Sequence, residues 1–265
     1  MSTKRHYLIF VEGAHDTSLI GHIIKHNKWG VHVKNRNDVS KVWNSTIPER
    51  FPFNGDVLDR ITPVPDFYEG DNLSVAIKTS GGDSKMAGIV ADTLAFMEIK
   101  VHDALDGVLV VLDADAKSAS DKIRHFLDEL NSNPSVEVNK GKISVLKPKS
   151  PVKFNLSCYC FPDNVGPGTI EDILIECGKI QYPEWIKLSE AYVDEAVKAG
   201  YKEADITKVS NRKKAIVGCV TNIMKPAKAI QTSISDNKWI TGATISSVKN
   251  LIALEDALKN FLEMK

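Results

Sequence analysis

The sequence predicts an α/β protein: a parallel sheet with helices on both faces, followed by a mainly helical C-terminal region. Three observations lead there. Two unbroken apolar runs, Tyr7-Leu8-Ile9-Phe10-Val11 and Val108-Leu109-Val110-Val111-Leu112, have the composition of strands buried on both faces. Amphipathic helical patterns alternate with such runs, the order expected of a doubly covered parallel sheet. Beyond the breaker Pro162-Asp163-Asn164-Val165-Gly166-Pro167-Gly168, helical patterns follow one another without strands between them.

Residues 5–11 read as the first strand. Asp16–His26 reads as a helix, because Leu19, Ile20, Ile23 and Ile24 fall on one face. Gly30–Lys34 is a short strand. Residues 35–72 are polar and rich in Asn, Asp and Pro, and read as an irregular surface excursion with room for a short helix or hairpin. Leu73–Thr79 alternates like a strand, Ser80-Gly81-Gly82-Asp83 is a loop and helix start, and Ser84–Met97 is a helix. After the strand at 108–112, Ser118–Leu130 is an amphipathic helix on Ile123, Phe126, Leu127 and Leu130. Lys142–Leu146 and Leu156–Phe161 are further strands. Thr169–Cys177, Pro183–Ala199, Lys213–Met224 and Val248–Met264 are helices. The chain therefore divides into an α/β core over 1–165 and a helical region over 166–265 packed on it.

Composition excludes several classes. The 265 residues carry 34 Lys+Arg against 34 Asp+Glu, so the net charge is zero and a basic nucleic-acid coat protein is disfavoured. A nucleic-acid enzyme with local basic groups remains open. The apolar run before Glu12 is too short for a signal peptide, and no run approaches the roughly 18 apolar residues of a membrane span. A cytoplasmic protein without membrane contact is expected. Cys158 and Cys160 are not followed by a second Cys or His pair at zinc spacing, so reduced, buried thiols are expected.

Both buried strands run into acids: the first into Glu12-Gly13-Ala14-His15-Asp16, the second into Asp113-Ala114-Asp115. Ligands on α/β sheets bind beyond the carboxyl ends of the strands. Carboxylates gathered there call for a neutralising cation, and Mg²⁺ or Mn²⁺ prefers such oxygen donors. Asp113 and Asp115 are two apart, so on extended backbone they face one side. Asp16 also suits a helix N-cap, and Glu171 and Asp172 suit the first turn of the next helix, where acids complement the dipole. His15 is a candidate outer donor to the acids. Ser80-Gly81-Gly82 is either a plain loop or a phosphate contact.

Taken together, "LIFVEGAHD" and "VLVVLDADA" resemble the Toprim domain, which topoisomerases, bacterial primases and the OLD-family nucleases share. The chain also resembles the small stand-alone Toprim-like proteins of unknown function. The OLD-like branch has a second acid four residues after the first Glu, matched here by Asp16. It has an acidic pair opening a later helix, matched by Glu171 and Asp172 in "GPGTIEDIL". It also has a lysine further on, matched by Lys213 or Lys214 in "NRKKAIVG". Glu171 is preferred over Asp172 because Ile170, Ile173 and Leu174 mark the buried side, and Lys214 is the preferred lysine.

The resemblance implies a Mg²⁺- or Mn²⁺-dependent nuclease acting on DNA or RNA. Its metal ligands would be Glu12, Asp16, Asp113, Asp115 and Glu171; Glu12 and Lys214 would be catalytic. It further implies a phage-defence setting with a separate ABC/SMC-type ATPase, since the chain lacks a Gly-x-x-x-x-Gly-Lys-Ser/Thr motif of its own. It leaves homo-oligomer formation open. Topoisomerase chemistry would need a tyrosine on a further domain, and primase activity a zinc module. Two other readings stand beside the nuclease: a Toprim-like nucleic-acid-binding or regulatory subunit without catalysis, and a Mg²⁺-dependent receiver-type domain. The receiver fold places its acidic pair at the first strand, where this chain has Glu12.

Overall fold

A computed structural model of the chain describes residues 4–47, 53–54, 57–60, 64–97, 105–146, 151–200, 206 and 208–264. Its first half contains β1 (Arg5–Val11), α1 (Ala14–His26), β2 (Val31–Val33), β3 (Phe53–Asn54), β4 (Val57–Arg60), β5 (Asp66–Glu69), β6 (Leu73–Thr79) and α2 (Met86–Phe96). Then come β7 (Leu105–Asp113), α3 (Ala119–Asn131), β8 (Val136–Asn139), β9 (Lys142–Val145) and β10 (Val152–Phe161). Helices α4 (Ile170–Gln181), α5 (Pro183–Ala199), α6 (Val209–Met224), α7 (Ile230–Asp236), α8 (Gly242–Ser247) and α9 (Lys249–Phe261) complete it.

Eight strands form one sheet in the order β2-β5-β6-β1-β7-β10-β9-β8, and β3-β4 make a separate pair. The four central strands are parallel, whereas β2, β5, β9 and β8 join antiparallel at the edges. The expected parallel sheet is present at the centre, and antiparallel edge strands make the whole sheet mixed. The reason is local: Lys140 and Gly141, both at positive φ, turn β8 directly into β9. Two-residue turns of that hand make hairpins, while parallel neighbours need a long crossover.

The excursion at 35–72 also departs from expectation. Asp66–Glu69 is a strand of the main sheet, and Trp43, on a 3₁₀ turn over Lys41–Thr46, is fully buried. The Trp43 indole donates to Ser74 Oγ at 2.7 Å, and the Ser74 hydroxyl donates to Glu69 at 2.8 Å. A buried indole N–H needs such a partner.

Alternation along the strands makes two cores. Tyr7, Ile9, Val11, Leu109 and Val111 face α1 and the C-terminal helices, packing with Leu19, Ile23, Ile173, Trp239 and Leu254. Leu8, Phe10, Val108, Val110 and Leu112 face α2 and α3, packing with Val90, Leu94, Phe126 and Leu130. Each fully buried Leu, Ile or Val contributes about 1.5–3 kcal/mol. The helical region after residue 166 thus shares a core with one face of the sheet. Among the described residues, no helix is long and apolar enough to cross a membrane.

Candidate functional site

Strands β1 and β7 are direct neighbours in register Phe10↔Val110, so their carboxyl ends finish side by side. The Asp113 backbone N–H donates to Glu12 Oε1 at 2.9 Å. Glu12 is also held through its main chain: the Gly81 and Gly82 N–H groups both donate to its carbonyl at 3.1 Å. Those glycines have φ +77° and +128°, a region that L side chains rarely adopt. Ser80-Gly81-Gly82 therefore serves to brace the Glu12 corner.

Asp113 Oδ1 accepts the backbone N–H of Ile170, the first residue of α4, at 2.9 Å. A helix N-terminus favours a carboxylate there. Asp16 sits at the third position of α1, with Gly13 as the N-cap, and its Oδ2 accepts the Gly13 N–H at 2.8 Å. Its capping role is thus that of the reciprocal acid of a capping box. Glu171 is 1% exposed. The Thr169 hydroxyl donates to its Oε2 at 2.7 Å, and His15 Nδ1 lies 4.0 Å from its Oε1.

Asp172 faces elsewhere. It accepts the Thr169 N–H at 2.9 Å and pairs with Lys213 at 2.5 Å. Lys214 is exposed. Burial is the main cause that lowers the His15 pKa; Glu171 opposes that shift and Lys214 adds to it.

Asp16 and Asp113 feel the charges of the neighbouring acids, Glu12 and Glu171 among them. Burial pushes the Asp16 carboxyl up to about 7, with Glu12 and Glu171 adding to the shift against the Gly13 hydrogen bond. Asp113 is raised well above the usual carboxylate range by burial and by the charges of Asp16, Glu12 and Glu171. Glu12 is raised by burial and by Asp83 and Asp115, against the Asp113 N–H and Lys122.

Asp115 departs from its expected place. Strand β7 ends at Asp113, and Asp115 adopts φ +54° while its N–H donates to Gly168 at 2.8 Å. The backbone has left the extended state to turn into α3, so the two-residue alternation no longer holds. Its carboxylate lies 3.5 Å from Lys122, which also donates to Asp83 at 2.8 Å. Neither Lys122 nor Asp83 is marked by the sequence as a site residue. The available signal was a lysine one turn before Phe126, inside the apolar stripe of α3.

The donor set is oxygen throughout, which fits a hard divalent cation. Each acid is dressed with an N–H or hydroxyl donor. Among the described residues, no three His, Cys, Asp or Glu side chains already stand as a finished ligand set. A cleft of about 610 Å³, lined by Asp115, Gly168, Thr169, Lys208, Ser210 and Lys213, opens beside the acids.

A family model described as protein of unknown function, DUF3226, matches residues 6–262. The chain belongs to the DUF3226 family. Among solved structures, this DUF3226 member is similar to the crystal structure of hypothetical protein PH0156 from Pyrococcus horikoshii OT3. The two are 17% identical, aligned over 98% of this chain and 97% of that one, with a TM-score of 0.53. That likeness concerns the fold. No curated protein matches.

Proposed function

We propose that the chain is a Toprim-type, divalent-metal-dependent phosphodiester hydrolase acting on DNA or RNA. The observation that carries this reading is the convergence of Glu12, Asp16, Asp113 and Glu171, from three separate segments, at the carboxyl end of adjacent parallel strands. Four carboxylates in mutual repulsion and half or wholly buried are costly unless a cation joins them.

Asp16, Asp113 and Glu171 would hold Mg²⁺ or Mn²⁺, with Asp115 at the edge. When bound, such an ion supplies Lewis-acid stabilisation of charge on a phosphodiester. Glu12, anchored by the Asp113 N–H and raised in pKa, would accept a proton from an attacking water. Lys214 is exposed, its charge reaches His15, and it would offer positive charge to a scissile phosphate. The adjoining cleft, with Lys208 and Lys213 on its wall, suits an anionic strand. The phage-defence setting and a separate ATPase enter only through the resemblance.

A second reading, a non-catalytic Toprim-like binding subunit, is favoured by the N–H groups that already occupy oxygens of Glu12, Asp16 and Asp113. One experiment decides between them. Purified chain is incubated with plasmid, single-stranded DNA and tRNA under Mg²⁺, Mn²⁺ or EDTA, beside Asp113→Ala. Metal-dependent cleavage lost in the variant supports the hydrolase; no cleavage of any substrate, even with a co-expressed ATPase, sinks it.

A further inference from the structure

Lys122 places an ammonium among acids on only one side of the sheet end. It lies 2.8 Å from Asp83 Oδ2 and 3.5 Å from Asp115 Oδ2, with its side chain 5% exposed. The charge of Glu12 reaches it as well. Asp83 opens the turn before α2 and Lys122 lies on α3, so their pair stands on the α2/α3 side. Asp113 continues the alternation of Leu109 and Val111, toward α1 and α4. There Asp113, Asp16 and Glu171 are met by backbone N–H groups, the Thr169 hydroxyl and His15. Among the described residues, no lysine or arginine forms an ion pair with these three.

We propose that Lys122 is a built-in cation that neutralises the Glu12–Asp83–Asp115 side, so that the chain takes one divalent ion, on the Asp16–Asp113–Glu171 side, and not two. The inference rests on the metal-site reading above. The ammonium donates to Asp83 and lies against Asp115, so it fills the place between them that a second ion would need. Displacing it would strand a buried charge. Asp83 and Asp115 are about half exposed, so water screens the charge that Lys122 leaves uncompensated.

The test is Mn²⁺ binding to the full chain by titration calorimetry. Wild type is expected to bind one ion. Lys122→Met, which keeps an apolar stem in the α3 stripe, is expected to bind two. Two ions on wild type, or one on a folded Lys122→Met, overturns the inference and leaves the metal reading standing. No ion on wild type removes both. Should the variant fail to fold, electron paramagnetic resonance of Mn²⁺ on wild type still decides: an isolated ion supports the inference, and a spin-coupled pair overturns it.

Discussion

Glu12 Oε1 accepts the backbone N–H of Asp113 at 2.9 Å, so the carboxylate ending one strand is held by the residue ending its neighbour. The bond makes Glu12 both a structural acceptor and a candidate base, and two substitutions separate those roles. Glu12→Gln keeps an acceptor oxygen without the charge. Its stability should stay within about 1 kcal/mol of wild type while cleavage falls by on the order of 10²–10⁴. Glu12→Ala also strands the Asp113 N–H and should cost about 1–3 kcal/mol. Urea unfolding alongside a cleavage assay reads both; equal stabilities for the two variants would refute the structural role.

Asp16 makes stability depend on pH. Its carboxyl has an ordinary value of 3.8 and titrates at about 7 in the folded chain. Between those values the folded state keeps a proton that the unfolded chain has released. The stability tied to that proton is full below about pH 4 and is lost as pH rises through about 7, on the order of 2–4 kcal/mol. Thermal unfolding from pH 4 to 8 should show this slope. Asp16→Asn, whose amide oxygen can still accept the Gly13 N–H, should flatten it. Mn²⁺ should raise Tm more at pH 8 than at pH 5, with EDTA reversing the gain; a pH-independent effect of Mn²⁺ would speak against binding at these acids.

Gly168 joins the site to its scaffold. Its carbonyl accepts the Asp115 N–H, its φ is +144°, and a Cβ there would lie 2.7 Å from Asp172 Oδ2 and 2.9 Å from Pro162. Gly168→Ala should therefore destabilise by roughly 2 kcal/mol or more, through strain and a displaced cap. It should also weaken Mn²⁺ binding, because Asp113 and Glu171 depend on the start of α4. Calorimetric unfolding with Mn²⁺ titration checks both; a variant as stable as wild type would contradict the packing described.

Lys213 and Lys214 are adjacent but differ in their partners. Lys213→Ala removes the ion pair with Asp172 and should cost less than about 1 kcal/mol. Lys214→Ala should leave Tm unchanged and lower cleavage by on the order of 10²-fold. The reverse pattern would reassign the phosphate contact to Lys213.

Much of the fold was legible because its signals are local. Helices α1, α3, α5 and α9 announce themselves through 3.6-residue periodicity, and Glu171 was distinguishable from Asp172 by the apolar residues flanking it in the first turn of α4. Strand β8, Val136–Asn139, and the short helices α7 and α8 carry few periods and escaped notice. Asp66–Glu69 escaped because polar neighbours hide a strand whose partner, β6, supplies its ladder.

By itself the sequence determined the two central strands and the acids Glu12 and Asp113 at their ends. A run of buried apolar residues stops where charge begins, whatever the rest of the chain does. Only the tertiary structure decided which acids meet. Asp115 leaves the strand for a left-handed turn, and Asp83 and Lys122, 39 residues apart, close on it from two other elements. Their meeting depends on the sheet order and on the phase of α3 against the core. Both are set by packing between distant segments, and spacing along the chain carries no record of either.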